Sequence, residues 1–187
     1  MGSLVLWVSV AVSALPAVAQ VNVRATVYAA LLSGAGYHGV RGSQMLVRDE
    51  WIPIRPIGDA AVAAWLREFD AVPAELREAL RRPAVFNRAP VDRSLFPVGT
   101  RFISPEAIAA VFTRTPWDDW PVFKRQYKAE GWVSFSDVLV TSDGLDALVY
   151  TEGHCGSLCA QGGYIWLHRT GPAAPWSIVK DITSWIA

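Results

Sequence analysis

The sequence predicts an α+β fold, and three observations carry that prediction. Apolar residues recur at helical spacing up to about residue 130. They alternate with period two after Gly131. Short, turn-rich connections separate the alternating runs. Helices followed by consecutive strands give N-terminal helices packed on a C-terminal four-stranded antiparallel meander, with the helices covering one face of the sheet. Residues 20–187 are expected to form a single α+β domain, helical over about 20–130 and a meander over about 131–187. With 52% hydrophobic residues and nine tryptophans, the chain has ample material for one core.

The helical part reads element by element. Ala25 to Ser33 has an apolar helical stripe, closed by Gly34 and Gly36. A glycine-rich turn, Gly34 to Gly42, leads into a short strand at Gln44 to Arg48, and Pro53 and Pro56 then interrupt regular structure. Asp59 to Phe69 forms a helix with Val62, Trp65, Leu66 and Phe69 on one face. Pro73 to Arg82 forms another, edged by Leu76 and Leu80, its proline harmless in the first turn. Pro83 to Thr100 contains three prolines and no period, which predicts a packed loop. Arg101 to Ile103 is a short strand. Ser104-Pro105-Glu106 is a helix start with a capping hydroxyl, a first-turn proline and an acid, and this helix reaches about Phe112. Asp118 or Asp119 caps a further helix to about Tyr127 that carries Trp120, Phe123 and Tyr127.

The meander is read from alternation and turns. Its strands are Trp132 to Thr141, Leu145 to Glu152, Gly163 to Arg169 and Trp176 to Thr183. Ser142-Asp143-Gly144 makes the first turn, and residues 170–175 join the last two strands.

Residues 1–19 read as a secretory signal peptide. Leu4 to Leu15 is almost wholly apolar, Pro16 breaks it, and Ala17-Val18-Ala19 places small residues at both positions of an A-x-A cleavage site. No Lys or Arg precedes the apolar run. The run is shorter than the roughly 20 residues needed to span a bilayer, so cleavage is expected rather than anchoring. The mature chain is then secreted or periplasmic, with no transmembrane segment. Acidic and basic side chains balance at seventeen each, and the arginines are scattered from Arg24 to Arg169. That distribution offers no basic stripe for nucleic acid.

The chain's only two cysteines lie in His154-Cys155-Gly156-Ser157-Leu158-Cys159, in the connection of about Gly153 to Gly162 between the second and third meander strands. In an oxidising compartment, a local Cys155–Cys159 disulfide is the first reading. Residues four apart can reach bonding geometry where the backbone doubles back, and Gly156 permits that. The alternative is a metal-binding or thiol-redox protein using His154, Cys155 and Cys159. His168 fails as a further ligand because it lies about 13 Å along the next strand at the ordinary rise. The C-x3-C spacing also departs from zinc ribbons and from the C-x-x-C of oxidoreductases.

Other chemistry is sparse. Ser157 is outside a G-x-S-x-G elbow, and Gly162-Gly163 lacks the lysine and helix of a phosphate loop. Asp118, Asp119, Asp143 and Asp146 fit caps and turns better than acid–base pairs. His38 and His168 have no visible catalytic partner. No cofactor is expected. Six tryptophans fall between Trp117 and Trp185, suited to packing or to stacking on a ligand, and Tyr150, Tyr164 and Trp166 are the candidate binding surface beside the cysteine connection.

The pieces Trp120-Pro121-Val122-Phe123 with Tyr127, Phe135-Ser136-Asp137-Val138, Ala147-Leu148-Val149-Tyr150, Cys155-Gly156-Ser157-Leu158-Cys159 with Gly162, then Trp176 and Trp185-Ile186, occur in that order. In this respect residues 117–187 resemble a family of small secreted bacterial proteins of unknown activity, with an FSxV…ALVY…CGxLCxxG…W pattern. Family members often carry arginine where Asp137 stands. The resemblance implies a shared meander with a cysteine loop and brings no catalytic residue. Together these readings predict an exported binding or interaction module with a protein or small-molecule partner, rather than an enzyme.

Overall fold

The structure is a computed structural model that describes residues 17–33, 45–54, 69–81, 89–113 and 116–187. The glycine-rich turn with His38, most of the Asp59 to Phe69 helix, Pro56, and most of the signal segment lie outside the described residues. The fold is α+β as expected. Four helices are described: α1 (Ala17–Ser33), α2 (Ala74–Arg81), α3 (Pro105–Val111) and α4 (Pro116–Tyr127). The strands are β1 (Met45–Arg48), β2 (Phe102–Ile103), β3 (Gly131–Phe135), β4 (Leu139–Val140), β5 (Asp146–Gly156), β6 (Cys159–His168) and β7 (Ser177–Ile186).

Local chemistry explains the helix ends. Ser104 caps α3, its Oγ accepting from the Ala107 amide at 3.1 Å, with Pro105 at the first position. Helix α4 starts at Pro116, before the expected cap, so Asp119 lies within its first turn and is 2% exposed. Helix α1 begins at Ala17, within the segment read as the signal, and its described buried side chains are Val23, Val27, Tyr28 and Leu31. In the described part of the stretch expected as a packed loop lies a 3-10 turn, Arg93–Leu95, capped by the Asp92 carboxylate.

The sheet is larger than the expected four-stranded meander. Its order is β2-β1-β3-β5-β6-β7, with β4 also on β5. Strands β5, β6 and β7 are antiparallel as expected, but β1 pairs in parallel with both β2 and β3. The expected first meander strand is split into β3 and β4 at Ser136. There the Ser136 amide donates to the Tyr150 carbonyl at 2.8 Å, while the Ser136 Oγ accepts from the Tyr150 amide at 2.9 Å. The side chain thus takes over one ladder bond and frees the Ser136 carbonyl, which accepts from the Tyr28 hydroxyl at 2.8 Å. Next to it, Asp137 pairs with Arg24 of α1 at 2.7 Å.

Helices cover both faces, not the single face expected. Along β5, Ala147 and Val149 point to one side and Leu148 and Tyr150 to the other. The first side meets α1 and residues 91–96, and the second meets Phe69, Val72 and α2. Helices α3 and α4 cover the same second side over Leu46 and Trp132. No described helix is long and apolar enough to cross a membrane.

Candidate functional site

The cysteine connection expected as a loop is almost all strand. β5 and β6 pair from Asp146↔His168 to Gly156↔Cys159, leaving only Ser157 and Leu158 as the turn. A register shift between His154 and Gly156 marks a bulge at Cys155. Cys155 and Cys159 are disulfide-bonded, with Cα atoms 5.1 Å apart. The nearby glycines serve close packing instead of loop flexibility. A Cβ on Gly162 would lie 2.4 Å from the Trp185 Nε1, and one on Gly163 would lie 2.3 Å from the Ile182 carbonyl oxygen. A five-residue ring contributes about 2 kcal/mol at most by loop entropy. Cys155→Ser with Cys159→Ser should therefore fold, with denaturant unfolding showing a loss of up to about 2 kcal/mol.

His154 and the cysteines do not converge. His154 lies opposite Trp132 on the α3–α4 side of the sheet, whereas Cys155 packs against the α1 core. Bonded sulfurs also supply no thiolate to a metal. Among the described residues, no group of three His, Cys, Asp or Glu side chains is placed to hold an ion. His168 sits at the far end of the hairpin, where its Nδ1 is 3.0 Å from Asp146 Oδ1. The same oxygen accepts from the Trp166 indole at 2.8 Å. This partner is invisible to sequence spacing, because 22 residues separate it from His168 and only strand register joins them.

Beside the tip, side chains on one sheet face form a polar strip with aromatic flanks. The His154 ring stacks on Trp132, centroids 5.0 Å apart, with Trp185 6.0 Å away on another side. The Trp185 indole donates to the Tyr150 hydroxyl at 2.9 Å, which donates to Glu152 Oε1 at 3.0 Å. Ser134 stands opposite Glu152, and Arg48 follows Val47, the partner of Val133. Arg48 pairs with Glu50 through Nη2, and neither the Arg48 Nε nor the buried Ser134 Oγ has a hydrogen-bond partner among the described residues.

Burial pushes the His154 pKa down. The nearby Glu152 charge opposes this, and Arg48 adds to it. His154 is therefore neutral in the fold near pH 7. Below about pH 6.5 the unfolded chain takes up the proton first, so stability falls with pH until the lowered folded value is passed. Comparing thermal unfolding of the wild type and His154→Gln across this window should show a smaller acid loss in the variant. Equal losses would assign the acid sensitivity to other groups.

Of the candidate binding residues, Tyr150 and Tyr164 belong to the core at 1% and 3% exposure, their rings 5.0 Å apart. Trp166 is partly buried, packed against the edge of the same cluster. Sequence reasoning missed Ser134 and Arg48, and it counted Trp132 only among six candidate stacking tryptophans and Glu152 only as a possible metal ligand, although strict alternation along Trp132–Ser134 and Glu152–His154 is a signal that each pair shares a face.

The geometry defines an α+β protein whose central hairpin is covalently closed at its tip and flanked by a half-buried polar strip. Comparison with protein-family models, with curated proteins and with solved structures gave no match.

Proposed function

We propose that the protein is an exported binding or interaction module that presents its disulfide-closed hairpin tip to a partner. One observation carries this reading: Leu158, at the turn of the closed ring, is 76% exposed. A large apolar side chain held outward on a locked turn loses little conformational entropy on docking, which favours recognition. Ile186, paired with Gln161 on the adjoining strand, is 75% exposed and extends the apolar surface. The apolar signal segment and the resemblance to small secreted bacterial proteins support export.

Two measurements test the reading. The mass of the protein recovered from outside the cytoplasm should begin at Gln20 and lie about 2 Da below the reduced value, reflecting the two hydrogens lost on bonding. A photo-crosslinking residue at Leu158 should give a discrete adduct in the native compartment, whereas one at the fully exposed Val98 should not. Retention of the full chain in the cytoplasm would overturn export, and identical labelling at both positions would overturn the tip as a docking element.

A further inference from the structure

At the opposite end of the hairpin from the disulfide lies a buried cation that pairs with no anion among the described residues. Arg169 follows β6 directly and is 8% exposed. Its Nε donates to the Gly144 carbonyl at 2.8 Å and its Nη1 to the Pro172 carbonyl at 2.7 Å. The guanidinium lies 4.5 Å from the Trp176 ring centroid, and that indole is held by the Thr26 hydroxyl at 3.0 Å. No described carboxylate forms an ion pair with Arg169. Asp143 is nearby in the same lining, but its carboxylate already accepts from the Thr141 hydroxyl and the Leu145 amide. Two carbonyls and an indole face only partly replace the hydration lost by a buried guanidinium. Burial accordingly lowers the pKa of Arg169, with no acid raising it.

This cation lines a groove of about 980 Å³ between α1 and residues 172–176. The α1 wall is made of small side chains, Thr26, Ala29, Ala30 and Ser33, which leave the space open. A second hollow of about 300 Å³ shares Ala29, Ser33 and Pro97 with the first, so the groove continues along the helix. Its α1 lining runs from Val23 to Ser33, about 15 Å at the helical rise. The lining is mostly apolar, its fixed charges the buried Arg169 and the already bonded Asp143 at one end and Arg101 in the second hollow.

We propose that this groove binds an unbranched aliphatic carboxylate, the head group on Arg169 and the chain along α1. A planar carboxylate matches the guanidinium donors left free and neutralises the buried charge. The acyl chain fills the elongated apolar lining. This site lies apart from the hairpin tip, and it stands or falls independently of the function proposed there.

Calorimetry on the full chain with octanoate, decanoate and decanol, each below its aggregation concentration, tests the assignment. Decanoate should bind one to one, and at least tenfold more tightly than decanol. Each methylene from octanoate to decanoate should tighten binding about fourfold. Arg169→Gln should reduce decanoate affinity at least tenfold, to the level of decanol. Should that variant fail to fold, Ala29→Phe fills the groove while leaving Arg169 in place and should abolish binding of both ligands. No decanoate binding at millimolar concentration would overturn the proposal. So would equal affinity for decanol, unchanged binding by Ala29→Phe, or binding only of an apolar peptide with a free C-terminal carboxylate.

Discussion

Gly131→Ala is expected to prevent folding, or to cost more than about 4 kcal/mol if any folded protein is recovered. Gly131 opens β3, pairing with Met45 of β1 on one side. On the other side the backbone of β5 comes so close that an added Cβ would lie 1.9 Å from the His154 carbonyl oxygen and 2.9 Å from the Cys155 Cα. Both are backbone atoms, so no side-chain rotation relieves the clash. The strands must part at the Trp132↔His154 pair, which removes the stack on His154 and disturbs the bulge at Cys155. Urea unfolding followed by circular dichroism measures the effect. Gly171→Ala is the control, since its Cβ would meet nothing within 4 Å and should change stability by less than about 0.5 kcal/mol. A Gly131→Ala protein as stable as this control would show that β3 and β5 are not so closely apposed.

Tyr28→Ala should lose about 4–8 kcal/mol, combining a cavity cost of about 3–5 with an orphaned carbonyl cost of about 1–3. Tyr28 has no exposed surface, and its ring lies 4.7 Å from Phe96, 5.5 Å from Trp51 and 5.6 Å from Phe135. Its hydroxyl satisfies the carbonyl that Ser136 turns out of the ladder. Burial raises the phenol pKa well above its ordinary value, and Asp137 reinforces this, so the group stays a neutral donor. Tyr28→Phe keeps the ring and should lose only the hydroxyl's share, about 1–3 kcal/mol. Thermal and urea unfolding of both variants gives the order wild type, Phe, Ala. Equal losses in the two variants would assign the whole effect to the hydrogen bond, and no loss in Tyr28→Phe would leave the Ser136 carbonyl satisfied by another group.

The same two residues show how far the sequence could be read. Phe135-Ser136-Asp137-Val138 is legible as part of an alternating strand, yet the break at Ser136 depends on Tyr150 and Tyr28, 14 and 108 residues away. Strand β1 was legible as a strand at residues 44–48. Its parallel partners were not, because a four-residue strand carries no record of which distant segment completes its hydrogen bonds. The disulfide was legible because its residues are four apart and the doubling back is local. The conversion of its supposed loop into strand was not, since the glycines that suggested a loop are required by contacts with Trp185 and Ile182 of another strand.

The site divides in the same way. The sequence placed His154 beside the cysteines, and adjacency along a strand then put the imidazole and the Cys155 sulfur on opposite faces. Arg169 looked like one scattered arginine among many. Its significance comes from the turn that buries it against Trp176 and from α1 packing across the gap.

The sequence by itself determined the change from helix to strand near residue 131, the capped start of α3, and the local disulfide. Each of these follows from dihedral preference, periodicity or ring closure among residues a few positions apart. Only the tertiary structure decided that β1 joins the sheet in parallel, that helices cover both faces, that His154 lies between two tryptophans, and that Arg169 is buried without a counter-charge among the described residues. Those features arise where segments distant along the chain exclude water from one another, and no local pattern specifies which segments will meet.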